Sequence, residues 1–137
     1  MIRKLIKMVA ISKPQQSSPI PPAALEAVER WCVQAIPETD EGFQRLIAKS
    51  TGSAITILEA HIPSDPQEGT DWIIQPFAQL RYDRDAGRDL AWSLYFANPD
   101  TKWQEYGTDG LSGPLKVLLD EIEDDPYGIF QWIDVLG

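Results

Sequence analysis

The sequence predicts an α+β domain: a helix, a five-stranded antiparallel meander sheet, and a C-terminal helix packed on one face. Three observations predict it. Apolar residues recur at helical spacing in one stretch near each end of the chain; five short strand-like runs lie between them; and the breaks between those runs are too short to cross over a sheet, so neighbouring strands must run antiparallel. With 137 residues, 43% of them hydrophobic, the chain can bury one ordinary core and has too little surface to divide between two.

The first helix is read over 22–36, where Leu25, Val28, Cys32, Ala35 and Ile36 form one stripe among Glu26, Glu29, Arg30 and Gln34. Pro22 suits its first turn and Pro37 closes it. Upstream, residues 12–22 contain four of the 11 prolines together with Ser and Gln, a composition that favours an extended linker. Residues 1–21 are therefore expected to be a basic, proline-rich flexible leader, and 22–137 a single α+β domain. Arg3, Lys4 and Lys7 surround a short apolar run that Lys7 splits. It is neither a convincing cleaved signal nor close to the roughly 20 apolar residues of a membrane span.

Strands are predicted over 43–49, 53–62, 72–83, 90–97 and 102–106. Ser50-Thr51-Gly52 breaks the first pair, residues 63–71 form a polar loop, residues 84–89 a charged one, and Asn98-Pro99-Asp100-Thr101 a turn. Pro76 inside the third run calls for a bulge or an edge position. The last helix is expected from Ser112 as N-cap, with Pro114 in its first turn, Leu115, Leu118, Leu119 and Ile122 on one stripe, and Pro126 and Gly128 ending it. Helices on one face leave the other face of the sheet wet, and a ligand could dock there.

The hairpin Ile55-Thr56-Ile57-Leu58-Glu59, the run Ala78-Gln79-Leu80-Arg81-Tyr82-Asp83, the pair Trp92-Ser93-Leu94-Tyr95 and Trp103-Gln104-Glu105-Tyr106, and above all the closing segment from Leu119 to Phe130 carry a resemblance. From about Leu25 to Phe130 the chain resembles a bacterial family catalogued as domain of unknown function 3024. Members typically end in Trp-Gly just after the phenylalanine, whereas here Phe130-Gln131-Trp132 continues to Gly137. The resemblance implies a compact stand-alone domain and supplies no activity, catalytic residue or cofactor.

Charge narrows the function classes. The chain has 12 basic and 21 acidic residues, a net of −9. Four of the basic residues fall in 1–13, so the remaining 124 residues hold 8 against 21, a net of −13. A body this acidic lacks the surface that releases counterions from a phosphate backbone, which argues against nucleic acid as a partner. The single Cys32 excludes an intramolecular disulfide and any cysteine-based metal cluster made by this chain alone. The segment 83–89 places carboxylates at Asp83, Asp85 and Asp89, the first, third and seventh positions of a calcium loop. That loop, however, needs an oxygen ligand at its fifth position, where Gly87 sits, and a bidentate Glu at its twelfth, where Leu94 stands. No metal and no cofactor are expected.

Three candidate sites remain. Glu59 and His61 sit two apart on a strand, on one face, where a carboxylate and an imidazole could serve a hydrolase or nuclease-like enzyme; the adjacent strand offers Gln79 and Arg81. Arg81, Tyr95 and Tyr106 are expected on or near the open face, as a platform for a protein partner or for single-stranded nucleic acid. Asp120, Glu121, Glu123, Asp124 and Asp125 crowd the end of the last helix, against its dipole and against one another, so some compensating group is expected there. The expectation is a small cytoplasmic, non-enzymatic module that binds a protein through the open face or the acidic helix end. The Glu59–His61 enzyme is the first alternative and single-stranded nucleic-acid binding the second.

Overall fold

The computed structural model describes residues 20–40 and 42–130, with Pro66 described in its backbone alone. Of the leader expected over 1–21, residues 1–19 lie outside the described residues, as do residues 131–137. Ile20 is already buried in the core and Pro21 is the N-cap of the first helix.

α1 spans Pro22–Ala35. Its N-cap is proline and offers no side-chain cap, but Pro22 has φ set for the helix, and the amide it lacks would have been unsatisfied there in any case. Val28 and Cys32 point fully inward, with Leu25, Trp31 and Ala35 packed beside them. Ile36 turns extended ahead of Pro37, as a residue before proline must.

Five strands follow in meander order: β1 (Gln44–Thr51), β2 (Ala54–His61), β3 (Ile73–Tyr82), β4 (Trp92–Ala97) and β5 (Trp103–Glu105), each antiparallel to the next. The predicted meander is therefore present. A two-residue strand, β6 (Ser112–Gly113), adds to it by pairing with β4. α2 spans Leu115–Asp124. Ser112, expected as its N-cap, lies in β6 and bonds Ser93 across the ladder at 2.9 Å; Pro114 takes the cap position without a side-chain bond.

The β1–β2 connection is tighter than the predicted break at 50–52. Thr51 pairs with Ala54, so Gly52 and Ser53 alone make the turn, and Gly52 adopts φ +60°, which suits the two-residue hairpin loop. Between β2 and β3 the register slips: Ile57 faces Ala78, yet Leu58 faces Pro76. Of the bulge or edge position that Pro76 called for, the structure has the bulge: the strand is paired on both sides, and Phe77 is the extra residue, turned into the core 5.2 Å from the Phe130 ring.

Both helices cover the same face. Val28 and Cys32 of α1 and Leu118, Leu119 and Ile122 of α2 share one core with Leu46, Ile55, Ile57, Leu80, Trp92 and Leu94 from the sheet. α1 lies over β1 and α2 over β4, and the two helices touch each other. The opposite face has no helix on it among the described residues, as predicted. Among those residues no helix is long and apolar enough to cross a membrane.

Candidate functional site

The register decides which residues reach the uncovered face. Its rows run across the strands: Arg45, Ala60 and Ile74; then Ile47, Leu58 and Pro76; then Lys49, Thr56, Gln79, Tyr95 and Glu105; then Thr51, Ala54, Arg81, Ser93 and Ser112. The first two rows are mostly apolar. Ile74 is 58% exposed and Ile47 37%, and Leu58 and Pro76 lie half-buried between them. The other two rows are polar and connected. Gln79 Nε2 donates to Thr56 Oγ1 at 2.9 Å, Arg81 Nε donates to Gln79 Oε1 at 2.8 Å, and the Arg81 guanidinium lies 3.7 Å from the centre of the Tyr95 ring. At the far end Arg45 lies 4.6 Å over the Trp72 ring.

Two of the three expected platform residues, Arg81 and Tyr95, are thus in contact on the open face. Tyr106 is not there. It is buried at 3% exposure on the helix-covered side, where its hydroxyl donates to Glu121 Oε2 at 2.8 Å and its ring stacks 5.8 Å from Phe130. The β4–β5 pairing makes the difference: Tyr95 faces Glu105 and Ala97 faces Trp103, which sends Trp103 and Glu105 to the open face and Tyr106 to the other. Asn98 sets that pairing, its amide bonding Lys102 O at 2.9 Å while its side-chain oxygen accepts from the amides of Asp100 and Lys102. Burial, then the bond to Glu121, push the Tyr106 hydroxyl well above the ordinary tyrosine range.

Glu59 and His61 do come together, with His61 Nδ1 2.9 Å from Glu59 Oε1 and 3.1 Å from Oε2. Their surroundings differ from those expected. Gln79 and Arg81 point to the opposite face, and the carboxylate instead accepts from Gln44 Nε2 at 3.3 Å and Gln75 Nε2 at 3.0 Å. Glu59 is 1% exposed, and three strands supply its neighbours. Sequence reasoning missed both glutamines. Gln44 stands directly opposite His61 and is found by counting back from a turn at Gly52-Ser53, whereas the bulge at Phe77 hides the match of Gln75 to Glu59.

A family model described as Domain of unknown function (DUF3024) matches residues 18–132. The chain belongs to this family. No curated protein and no solved structure matches it. In this DUF3024 chain the matched span holds every element of the sheet and both helices, and therefore both the open face and the Glu59 cluster.

The acidic end of α2 finds its compensation inside the DUF3024 domain. Asp120 pairs with Lys116 at 2.9 Å one turn earlier, Glu121 takes the Tyr106 hydroxyl, Glu123 accepts from the Trp31 indole at 3.3 Å, and Asp125 accepts from the Phe130 amide at 3.1 Å. Asp125 also ends the helix in a left-handed conformation, φ 42°, its amide donating to Glu121 O at 2.9 Å. Cys32 is 3% exposed, and burial foremost, with Glu29 nearby, pushes its thiol up to about 12. A thiol held neutral in this way is a packing group. Among the described residues no group of three or more His, Cys, Asp or Glu side chains is placed to hold a metal ion.

Proposed function

We propose that the chain is a non-enzymatic module of the bacterial cytoplasm that binds a protein partner through the open sheet face. The observation that supports this reading is the uncovered pair of rows Ile47, Leu58, Ile74 and Pro76, bordered by the Arg45–Trp72 and Arg81–Tyr95 stacks. An apolar centre rimmed by arginine and aromatic side chains is what protein interfaces use, and water is a poor solvent for the exposed isoleucines. The acidic helix end supports the reading less, because four of its five carboxylates already serve the domain's own donors.

Capture from extract of the source organism tests it. Wild-type chain retains a partner that Ile74→Asp and Tyr95→Ala lose, while Glu59→Gln and His61→Ala keep it. A partner lost in the Glu59 and His61 variants and kept in Ile74→Asp would favour the enzymatic alternative instead. Single-stranded oligonucleotides, given the net charge of −9, are expected to produce no mobility shift even at low salt.

A further inference from the structure

β1 is an edge of the sheet: among the described residues β2 alone pairs with it. The Ile62 amide donates to the Phe43 carbonyl at 3.0 Å. By the alternation of an antiparallel ladder, odd-numbered residues of β1 bond toward β2 and the main-chain groups of Leu46, Ala48 and Ser50 point away from it. The edge is flanked on both sides. On the open face Arg45, Ile47 and Lys49 stand in line, all exposed. On the other side, Cys32 and Val33 of α1, with Ile36 just beyond the helix, meet Leu46 around a pocket of about 150 Å³, and Val33 is 70% exposed.

From this arrangement we infer that β1 accepts an extended segment of a partner protein as an added strand. The segment carries acidic, apolar and acidic side chains at alternate positions, set against Arg45, Ile47 and Lys49, with apolar residues between them directed at the α1–β1 pocket. The inference rests on the protein-binding reading and names the chemistry of the partner. Strand addition supplies main-chain bonds without regard to sequence, and the alternating side chains supply the choice. The pairs at Arg45, Ile47 and Lys49 would be of the non-hydrogen-bonded kind, with Cα atoms about 4.5 Å apart, where side chains interact most closely.

Charge selects this occupant over two others. A second copy added antiparallel about Ile47 would set Arg45 of each chain against Lys49 of the other, and like charges directly opposite repel. Residues 3–7 of this chain, Arg3-Lys4-Leu5-Ile6-Lys7, would bring cations to the same place. Fields are screened over about 8 Å at physiological ionic strength, so side chains placed directly across the ladder from Arg45 and Lys49 feel those two residues more than the net charge of the whole chain.

The full chain, isotope-labelled, is titrated with the acetylated and amidated peptide Thr-Glu-Val-Ile-Val-Glu-Thr and with its counterpart carrying Lys at both Glu positions. Amide shifts are followed by NMR and affinities by fluorescence polarisation. The expected result is shifts confined to β1 and the C-terminal half of α1, with at least tenfold preference for the acidic peptide. That preference reverses in Arg45→Glu/Lys49→Glu and falls at least threefold in Lys49→Glu alone, which keeps the Arg45–Trp72 stack. Equal binding of the two peptides, no shift in β1, or shifts centred elsewhere overturns the inference. Failure of the underlying reading looks different: Ile74→Asp then keeps the captured partner. If the edge inference alone fails, Ile74→Asp still loses that partner while neither peptide is preferred.

Discussion

Tyr106 donates its hydroxyl hydrogen to Glu121 at 2.8 Å and thereby ties the residue just past β5 to the middle of α2. A bond to a charged acceptor is worth about 1.5 to 3 kcal/mol, and Tyr106→Phe is expected to lose that amount in urea unfolding at pH 8. The pH dependence has a definite sign. Burial and the Glu121 bond raise the folded pKa above the ordinary value of 10.0, so the stabilisation is complete below pH 10 and declines above it, where the unfolded chain ionises first. The gap between wild type and Tyr106→Phe should therefore narrow between pH 8 and pH 11.

The Glu59 cluster is expected to hold the sheet together at the end where β1, β2 and β3 meet. Glu59→Ala leaves Gln44, Gln75 and His61 facing a void and should cost about 3 kcal/mol, whereas Glu59→Gln preserves volume and one acceptor and should cost about 1 kcal/mol. Equilibrium urea unfolding of the two variants gives the order. Equal and negligible losses would show that the cluster does not stabilise the sheet.

Cys32 reports on opening of the core. With its thiol pushed up to about 12 by burial and by Glu29, it should resist a disulfide reagent at pH 8 in the folded chain and react at once in guanidinium strong enough to unfold it. Linkage adds a second reading. The folded pKa is raised from 9.0, so the contribution of this thiol to stability is present below pH 9 and is lost as pH rises toward 12.

Core and open face should separate in stability measurements. Leu118 is fully buried between α2 and the sheet, and Leu118→Ala should cost about 2 to 5 kcal/mol. Tyr95→Ala loses a surface cation–π contact worth about 0.5 to 1 kcal/mol. A loss at Tyr95 as large as that at Leu118 would mean that the open face serves folding rather than recognition.

Much of the fold was legible because local rules and global packing agree. Pro22 and Pro37 bracket α1, the stripe Leu118, Leu119 and Ile122 marks α2, and the four-residue turn at Asn98–Thr101 leaves β4 and β5 no arrangement but antiparallel. The two expectations that failed locally failed for one cause. Ser112 has the chemistry of an N-cap, yet pairing with Ser93 gives it a place in a ladder, and the expected Ser50-Thr51-Gly52 break is a two-residue turn at Gly52-Ser53, because Ser50 and Thr51 are paired with β2.

By itself the sequence determined the fold class, the antiparallel order, the packing role of Cys32, an irregularity at Pro76 and the shared face of Glu59 and His61. The tertiary structure alone decided which face each strand residue shows. Side chains alternate with period two, so a shift of one residue in pairing exchanges the faces of a whole strand. The β4–β5 register moved Tyr106 from the open face to Glu121. The bulge at Phe77 brought Gln75 to Glu59, while Gln79 and Arg81 stayed on the other face. A register set by hydrogen bonds between paired strands leaves no periodic trace in either strand. For that reason the open face, with its isoleucines and its Arg81–Tyr95 stack, emerges only once the strands are paired.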